Sequence, residues 1–357
     1  MTSIKTSDTS NDEANFVSGI DLARMFYIEV VCPLIEGRAH SAARLGSGSD
    51  VLGFDTPRST DHGWGPQLHL FVATSEVDAV RTIIDYSLPE EFHGGPVYFG
   101  WDEVAVKHHV NVAPLGEWLK SHLGFDPQVG ITVQNWLTTP QQLLLEVTAG
   151  AVFHDPDGDL KRVRNKLEWY PNDIWLWMLA CQWRRIAQEE AFVGRTAEVG
   201  DELGSRILTA QIVRDLMRLC FLIERRYAPY SKWLGSAFRN LHMAPRLAPL
   251  LEAALKATDY PTREKALCSA YEYVAHCYNQ LNLTPPVDPE VRLFYKRPFR
   301  VIGGDRFAET CLAAVQDEWL KGQPLVGSVD QFVDSTDVLS NAHRSRCFTN
   351  IYGVHFE

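Results

Sequence analysis

Apolar residues recur along this chain with two periods, and each period predicts a different kind of element. Leu68, Leu70 and Val72 alternate with His69 and Phe71, and Val104, Val106, Val110 and Val112 alternate with Ala105, Lys107, His109 and Asn111. A period of two sends successive side chains to opposite faces, so both segments read as strands. Ala151 to His154 adds a short strand before the Asp155-Pro156-Asp157-Gly158 turn. Between these segments the spacing is helical. Ser18 caps a helix with Ile20, Ala23, Tyr27 and Val30 on one face. Ser75 opens another with Val77, Val80 and Ile84 inside, and Leu115, Trp118, Leu119 and Leu123 continue as a third after Pro114. Thr139-Pro140 starts a fourth, which closes near Gly150.

After residue 160 the strand pattern stops. Ile174 to Ala191, Leu203 to Tyr227, Ser231 to Leu241, Arg246 to Ala257 and Arg263 to Leu281 all carry helical spacing. The first of these is apolar nearly all round, as a helix buried on most sides must be. The predicted fold class is therefore α+β, a small mixed sheet with helices followed by an all-α helical bundle. Residues 1–18, rich in Ser, Thr, Asn and Asp, are predicted to be a disordered tail. Residues 19–158 form the α/β domain and 159–357 the helical one.

Composition narrows the class of protein. At 45% hydrophobic residues the 357-residue chain has enough apolar surface for two cores. Its longest apolar run, Ile174 to Cys181, is far short of the ~20 residues of a membrane span. Seven scattered cysteines without a CxxC pair read as reduced thiols, and no secretory pattern opens the chain; the expected location is cytoplasmic. The formal charge of −11 is unevenly spread. Residues 1–160 carry 8 basic and 22 acidic groups, a net of −14, whereas residues 161–235 carry 13 and 9, a net of +4. Either the acidic half holds cations and the basic segment meets anions, or both are solvated surface. This acidity argues against long nucleic acid as a partner, because such binding rests on Lys and Arg at phosphates.

The segment richest in chemistry runs from Leu45 to Pro66. Gly46, Gly48 and Gly53 let backbone N–H groups approach an anion, and Ser47 or Ser49 adds a hydroxyl donor. Gly48-Ser49-x-x-x-Gly53 followed by Ser59-Thr60-Asp61 resembles the signature of the DNA-polymerase-β-like nucleotidyltransferase superfamily. That signature is a Gly-Ser turn followed about a dozen residues later by Asp-x-Asp on a strand. The stretches Gly46 to Asp55 and Ser59 to Pro66 further resemble the DUF4037 group of nucleotidyltransferase-like proteins. So do Tyr170 to Trp175, Gln182 to Glu190, Gly200 to Ser205, Tyr227 to Trp233 and Asp330 to Asp337.

The resemblance implies a nucleotidyltransferase-type sheet and, in an active member, transfer of a nucleoside monophosphate from a nucleoside triphosphate to a hydroxyl of a small acceptor. In that reading Gly48 and Ser49 hold phosphates. Asp61 is the catalytic and metal-binding carboxylate for Mg²⁺, and Tyr230 and Lys232 reach the nucleotide from the helical domain. The chemistry asks for two carboxylates at i and i+2 of a strand, to hold the ions that neutralise charge on the attacking and leaving oxygens. Position 63 is Gly, and the neighbouring strand offers His109 and Asn111 where a third carboxylate belongs. Asp50 and Asp55 are the remaining oxygen donors nearby. The departure opens two further readings: a catalytically degenerate fold acting as a binding or regulatory module, and an enzyme of different chemistry in the same interdomain cleft.

Other features have structural readings beside their functional ones. His62, His69, His108 and His109 lack a recognised ligand spacing, and Asp155, Asp157 and Asp159 lack the downstream Glu of a calcium loop. Trp169, Trp175, Trp177 and Trp183 read as core. The charges between Arg184 and Arg206 are either an internal salt-bridge network or the wall of a polar cleft. Lys232 is either a point charge on the triphosphate or a surface lysine beside an aromatic turn.

Overall fold

The computed structural model describes residues 16–61, 63–102 and 104–353. The predicted tail over 1–18 lies outside the described residues as far as position 15. Five strands, β1 (Ser41–Arg44), β2 (Gln67–Phe71), β3 (Tyr98–Trp101), β4 (Val104–Ala113) and β5 (Ala151–His154), form one sheet in the order β3-β4-β2-β1-β5. β2 and β4 run parallel, and all other neighbours antiparallel. With the strands come helices α1 (Gly19–Phe26), α2 (Val77–Ser87), α3 (Leu115–Leu123), α4 (Val133–Thr138), α5 (Gln141–Thr148) and α6 (Asp159–Lys166). The later chain forms α7 (Asn172–Glu198), α8 (Glu202–Ile223), α9 (Ser231–Phe238), α10 (Ala244–Lys256), α11 (Tyr260–Gln280) and α12 (Gly304–Ala314). Two compact units result: the chain up to Gly130 with Leu143–Glu168, and Ile131–Gln142 with the chain from Trp169 onward.

In the first unit the period-two pattern becomes two unlike sheet faces. Ala42, Leu68, Leu70, Val110 and Val112 point to one side and share a core with Phe26, Val31, Val80 and Ile84 of α1, its continuation and α2. Ser18 starts α1 as predicted, its hydroxyl accepting the Asp21 N–H. The opposite face carries Gln67, His69 and Phe71 of β2 and His109 and Asn111 of β4, with Gln67 beside His109 and His69 beside Asn111. Two strands, β1 and β3, were not read from the sequence, because neither Ser41-Ala42-Ala43-Arg44 nor Phe99-Gly100-Trp101 shows an alternation of apolar and polar residues.

The second unit is built on α7 and α8. Trp175, Trp177 and Trp183 are fully buried along α7, and Trp183 stacks on Phe307 of α12 at 4.2 Å. These tryptophans are core, as predicted. The Glu190 carboxylate of α7 accepts the N–H groups of Ile302, Gly303 and Gly304 and so closes the start of α12. Between Arg184 and Arg206 the charges pair inside the unit. Arg184 meets Asp305, Arg185 meets Asp215, and Glu202 binds both Arg206 and the buried Arg263. Strand pairing does not stop altogether after residue 160, since Arg292–Leu293 and Arg300–Val301 form a two-residue ladder.

Candidate functional site

The polar sheet face of the first unit meets a glycine turn at the end of β1. Arg44, the last residue of that strand, is buried and grips Asp50 with two hydrogen bonds of 2.7 and 2.8 Å. Its remaining donors take the carbonyl oxygens of Leu45 and Ser47. In a trans peptide the N–H lies opposite the carbonyl, so holding the Ser47 oxygen inward turns the Gly48 N–H outward. A Cβ at Gly48 would collide with the Asp50 carboxylate and the Arg44 guanidinium. The turn therefore requires glycine there, and it is preorganised by a bidentate ion pair that sequence reading did not single out.

Beside the turn lies a cluster contributed by three elements. His69 of β2 sits edge-on to Trp118 of α3, with ring centres 5.1 Å apart. His122 of the same helix stacks flat on Trp118, and its Nε2 is 3.2 Å from a carboxylate oxygen of Glu146 in α5. Glu146 is buried, and its backbone carbonyl accepts the Gly46 N–H. The His69 Nδ1 is buried without a hydrogen-bond partner. Burial, then the charges of Arg44 and His122, pushes the pKa of His69 down to about 3, so this imidazole is neutral at physiological pH. On β4 the Nε2 of His109 donates to the Phe99 carbonyl, and its ring packs against Phe99 and Trp101.

The carboxylates expected to hold Mg²⁺ stand elsewhere. The resemblance implied a strand at Asp61, but Pro57–Asp61 is a 3-10 turn, and β2 begins only at Gln67. Gly63, at φ +62°, lies against Trp101, and Gly65 is pressed against Phe99, so the chain is still turning where a strand was expected. The strand positions at i and i+2 are thus Gln67 and His69. Asp50 is consumed by Arg44, and Asp55 accepts the Gly19 N–H at the start of α1. Mg²⁺ takes hard oxygen ligands, usually carboxylates and water. The donor set of Gln67, His69, His109 and Asn111 does not fit a carboxylate-held Mg²⁺. Among the described residues no three His, Cys, Asp or Glu side chains group as a metal site. His62 lies outside the described residues. Asp155 accepts the N–H groups of Leu160 and Lys161, which makes its turn a helix start and not a calcium loop.

In the second unit Tyr230 precedes α9, and its N–H donates to Gln142. Lys232 is exposed, with its ammonium 4.8 Å above the Trp233 ring. Two neighbours in sequence thus have different surroundings, since Tyr230 lines a pocket with Arg218 and Asp330. Of the residues missed by sequence reading, Arg44 and Gln67 had positional signals, namely the residue before the glycine turn and the period-two face of β2. His122 and Glu146 had none, being brought together only by the packing of α3 and α5.

All seven cysteines are free, and among the described residues no helix is long and apolar enough to cross a membrane. No curated protein matches the chain. A family model described as a domain of unknown function, DUF4037, matches residues 136–234, from α4 into α9.

Proposed function

We propose that this protein is a nucleotidyltransferase-type fold that keeps a phosphate turn and has given up metal-dependent transfer. Its first unit binds a phosphate-bearing small molecule, a nucleoside phosphate foremost, without Mg²⁺. The observation that carries this reading is the replacement of the strand carboxylates by Gln67 and the neutral His69, with Asp50 and Asp55 tied into the fold. An outward Gly48 N–H at a turn braced by Arg44 suits an anion, and neutral side chains beside it suit one that carries no metal. Arg44 is itself neutralised by Asp50, so a Kd on the order of 0.1 mM, about −5.5 kcal/mol, is expected. Transfer would lack the charge stabilisation that the chemistry requires. The small size of such a ligand agrees with the acidity of the chain, which disfavours long nucleic acid.

A second reading is favoured by His122 and Glu146, a buried imidazole nitrogen and a carboxylate oxygen 3.2 Å apart without a hydrogen bond between them, an imidazole–carboxylate pair that a bound substrate could draw into alignment. It would make the same face a site of proton transfer in a reaction without metal. Calorimetry with ATP on wild type, Gly48→Ala, Ser49→Ala and Asp61→Ala, with a pyrophosphate-release assay in parallel, separates these readings from the active transferase. The expected result is binding lost in Gly48→Ala, weakened in Ser49→Ala, unchanged in Asp61→Ala, and no pyrophosphate. Pyrophosphate release abolished by Asp61→Ala would overturn the proposal.

A further inference from the structure

A small pocket lies within the helical unit, where Arg218, Asp330 and Gln182 meet apolar walls from Leu222, Pro229 and Leu339. Its enclosed space is about 10 Å³, room for one water molecule. Arg218 has a companion one turn earlier on α8, Arg214, and residues four apart on a helix are neighbours. Two like charges so placed repel unless an anion stands between them. The anion here is Asp334, whose Oδ1 lies 2.9 Å from Arg214 and 3.7 Å from Arg218. One oxygen serves two guanidinium groups, and the Nε atoms of both arginines are buried with no acceptor. Buried donors are rarely left this way, and a guanidinium fork matches an oxyanion with several oxygens better than a single carboxylate oxygen.

The neighbouring charges are balanced. Arg185, Arg214 and Arg218 face Asp215, Asp330 and Asp334. Asp215 and Asp330 are buried, and Asp330 also accepts the Gln141 N–H. Asp334 differs from both. Its side chain is 59% exposed and sits between the short helices Val329–Phe332 and Thr336–Leu339. An ion pair with so exposed a partner is weak, so this carboxylate can be exchanged while the two buried ones cannot.

We propose that Arg214 and Arg218 form an oxyanion-binding site that Asp334 occupies with its own carboxylate, and that a phosphate or carboxylate group of a small molecule takes the place of Asp334. Binding by exchange keeps the local charge balanced, and the incoming group would also reach the unpartnered Nε donors. This site is independent of the glycine turn, because every residue in it belongs to the helical unit.

The test follows the arginine Nε–H signals of the full chain by NMR during titration with inorganic phosphate and, separately, acetate. Wild type, Asp334→Asn and Arg214→Gln are compared, with Asp334→Ser as a second removal of the carboxylate. Phosphate should shift the Arg218 signal, and removal of the Asp334 carboxylate should tighten binding about fivefold, the scale of one exposed ion pair. Arg214→Gln should weaken it by at least as much. Response to acetate as strong as to phosphate would assign the site to carboxylates, and response to phosphate alone would assign it to phosphates. Signals unmoved by either anion would overturn the proposal. So would an affinity left unchanged by both Asp334 variants, or one left unchanged by Arg214→Gln.

Discussion

The two faces of the five-stranded sheet are made by the same two strands and behave as different materials. Leu68, Leu70, Val110 and Val112 face a continuous apolar core, whereas Gln67, His69, His109 and Asn111 face rings, a glycine turn and solvent. On the first face each side chain gains by leaving water, and many residues of similar size would serve. On the second, each polar group needs its own partner, so identity matters more than pattern. The contrast teaches where chemistry can change on a sheet without loss of the fold. The apolar face keeps the fold, and the positions that decide chemistry alternate with it along the same strands.

The largest effect should come from the brace beneath the turn. Arg44→Met strands the Asp50 carboxylate in a buried position, at an expected cost of about 3–5 kcal/mol in chemical denaturation. Close behind stands the apolar face, where Leu70→Ala should cost about 2–5 kcal/mol. Asn111→Ala, on the exposed part of the opposite face, should stay within about 0.5 kcal/mol. Equal losses for Leu70→Ala and Asn111→Ala would erase the distinction between the faces.

Acidity sharpens the comparison further. His69 is held neutral down to about pH 3, while its unfolded counterpart takes a proton near 6.5. The unfolded chain therefore binds more protons between these values, and stability falls as the pH drops from 6.5 to 3. Glu190 in the helical unit works in the opposite sense. Burial raises it to about 7 from 4.5 despite its three N–H donors, so its contribution is complete below pH 4.5 and lost as the pH rises toward 7. Each group adds at most about 1.4 kcal/mol per pH unit. Measured against wild type, His69→Phe should gain relative stability on acidification below pH 6.5, and Glu190→Gln should gain it above pH 4.5. A smaller effect closes the series: Asp61→Ala should change stability by less than about 0.5 kcal/mol, because the residue is exposed on a short turn.

Much of this architecture was legible in particular residues. Leu68 and Leu70, Val110 and Val112, and the Ser18 cap announced their elements through local spacing, and the long helices after residue 170 did the same. The glycine turn was legible too, because only glycine tolerates the conformation. What could not be read was pairing over distance. Asp50, Asp55 and Asp61 look alike in sequence, yet one meets Arg44, one closes α1 and one ends a 3-10 turn. Those fates are decided by tertiary contacts that leave no periodic mark. β2 itself was read where it stands, but the carboxylate-bearing strand that the resemblance implied at Asp61 was not there to be found, since Gly63 and Gly65 are held by Trp101 and Phe99 from a strand whose own pattern is silent. Arg214 and Arg218, in contrast, stand at a readable helical spacing, and only their shared partner was hidden.

The most direct test of the central claim is the Kd of ATP for the wild-type chain, measured by calorimetry with excess Mg²⁺ and again with EDTA. If the glycine turn beside Gln67 and the neutral His69 holds the phosphates as proposed, the two values lie within about threefold of each other. Binding that appears only with Mg²⁺, and vanishes in Asp61→Ala, would contradict it.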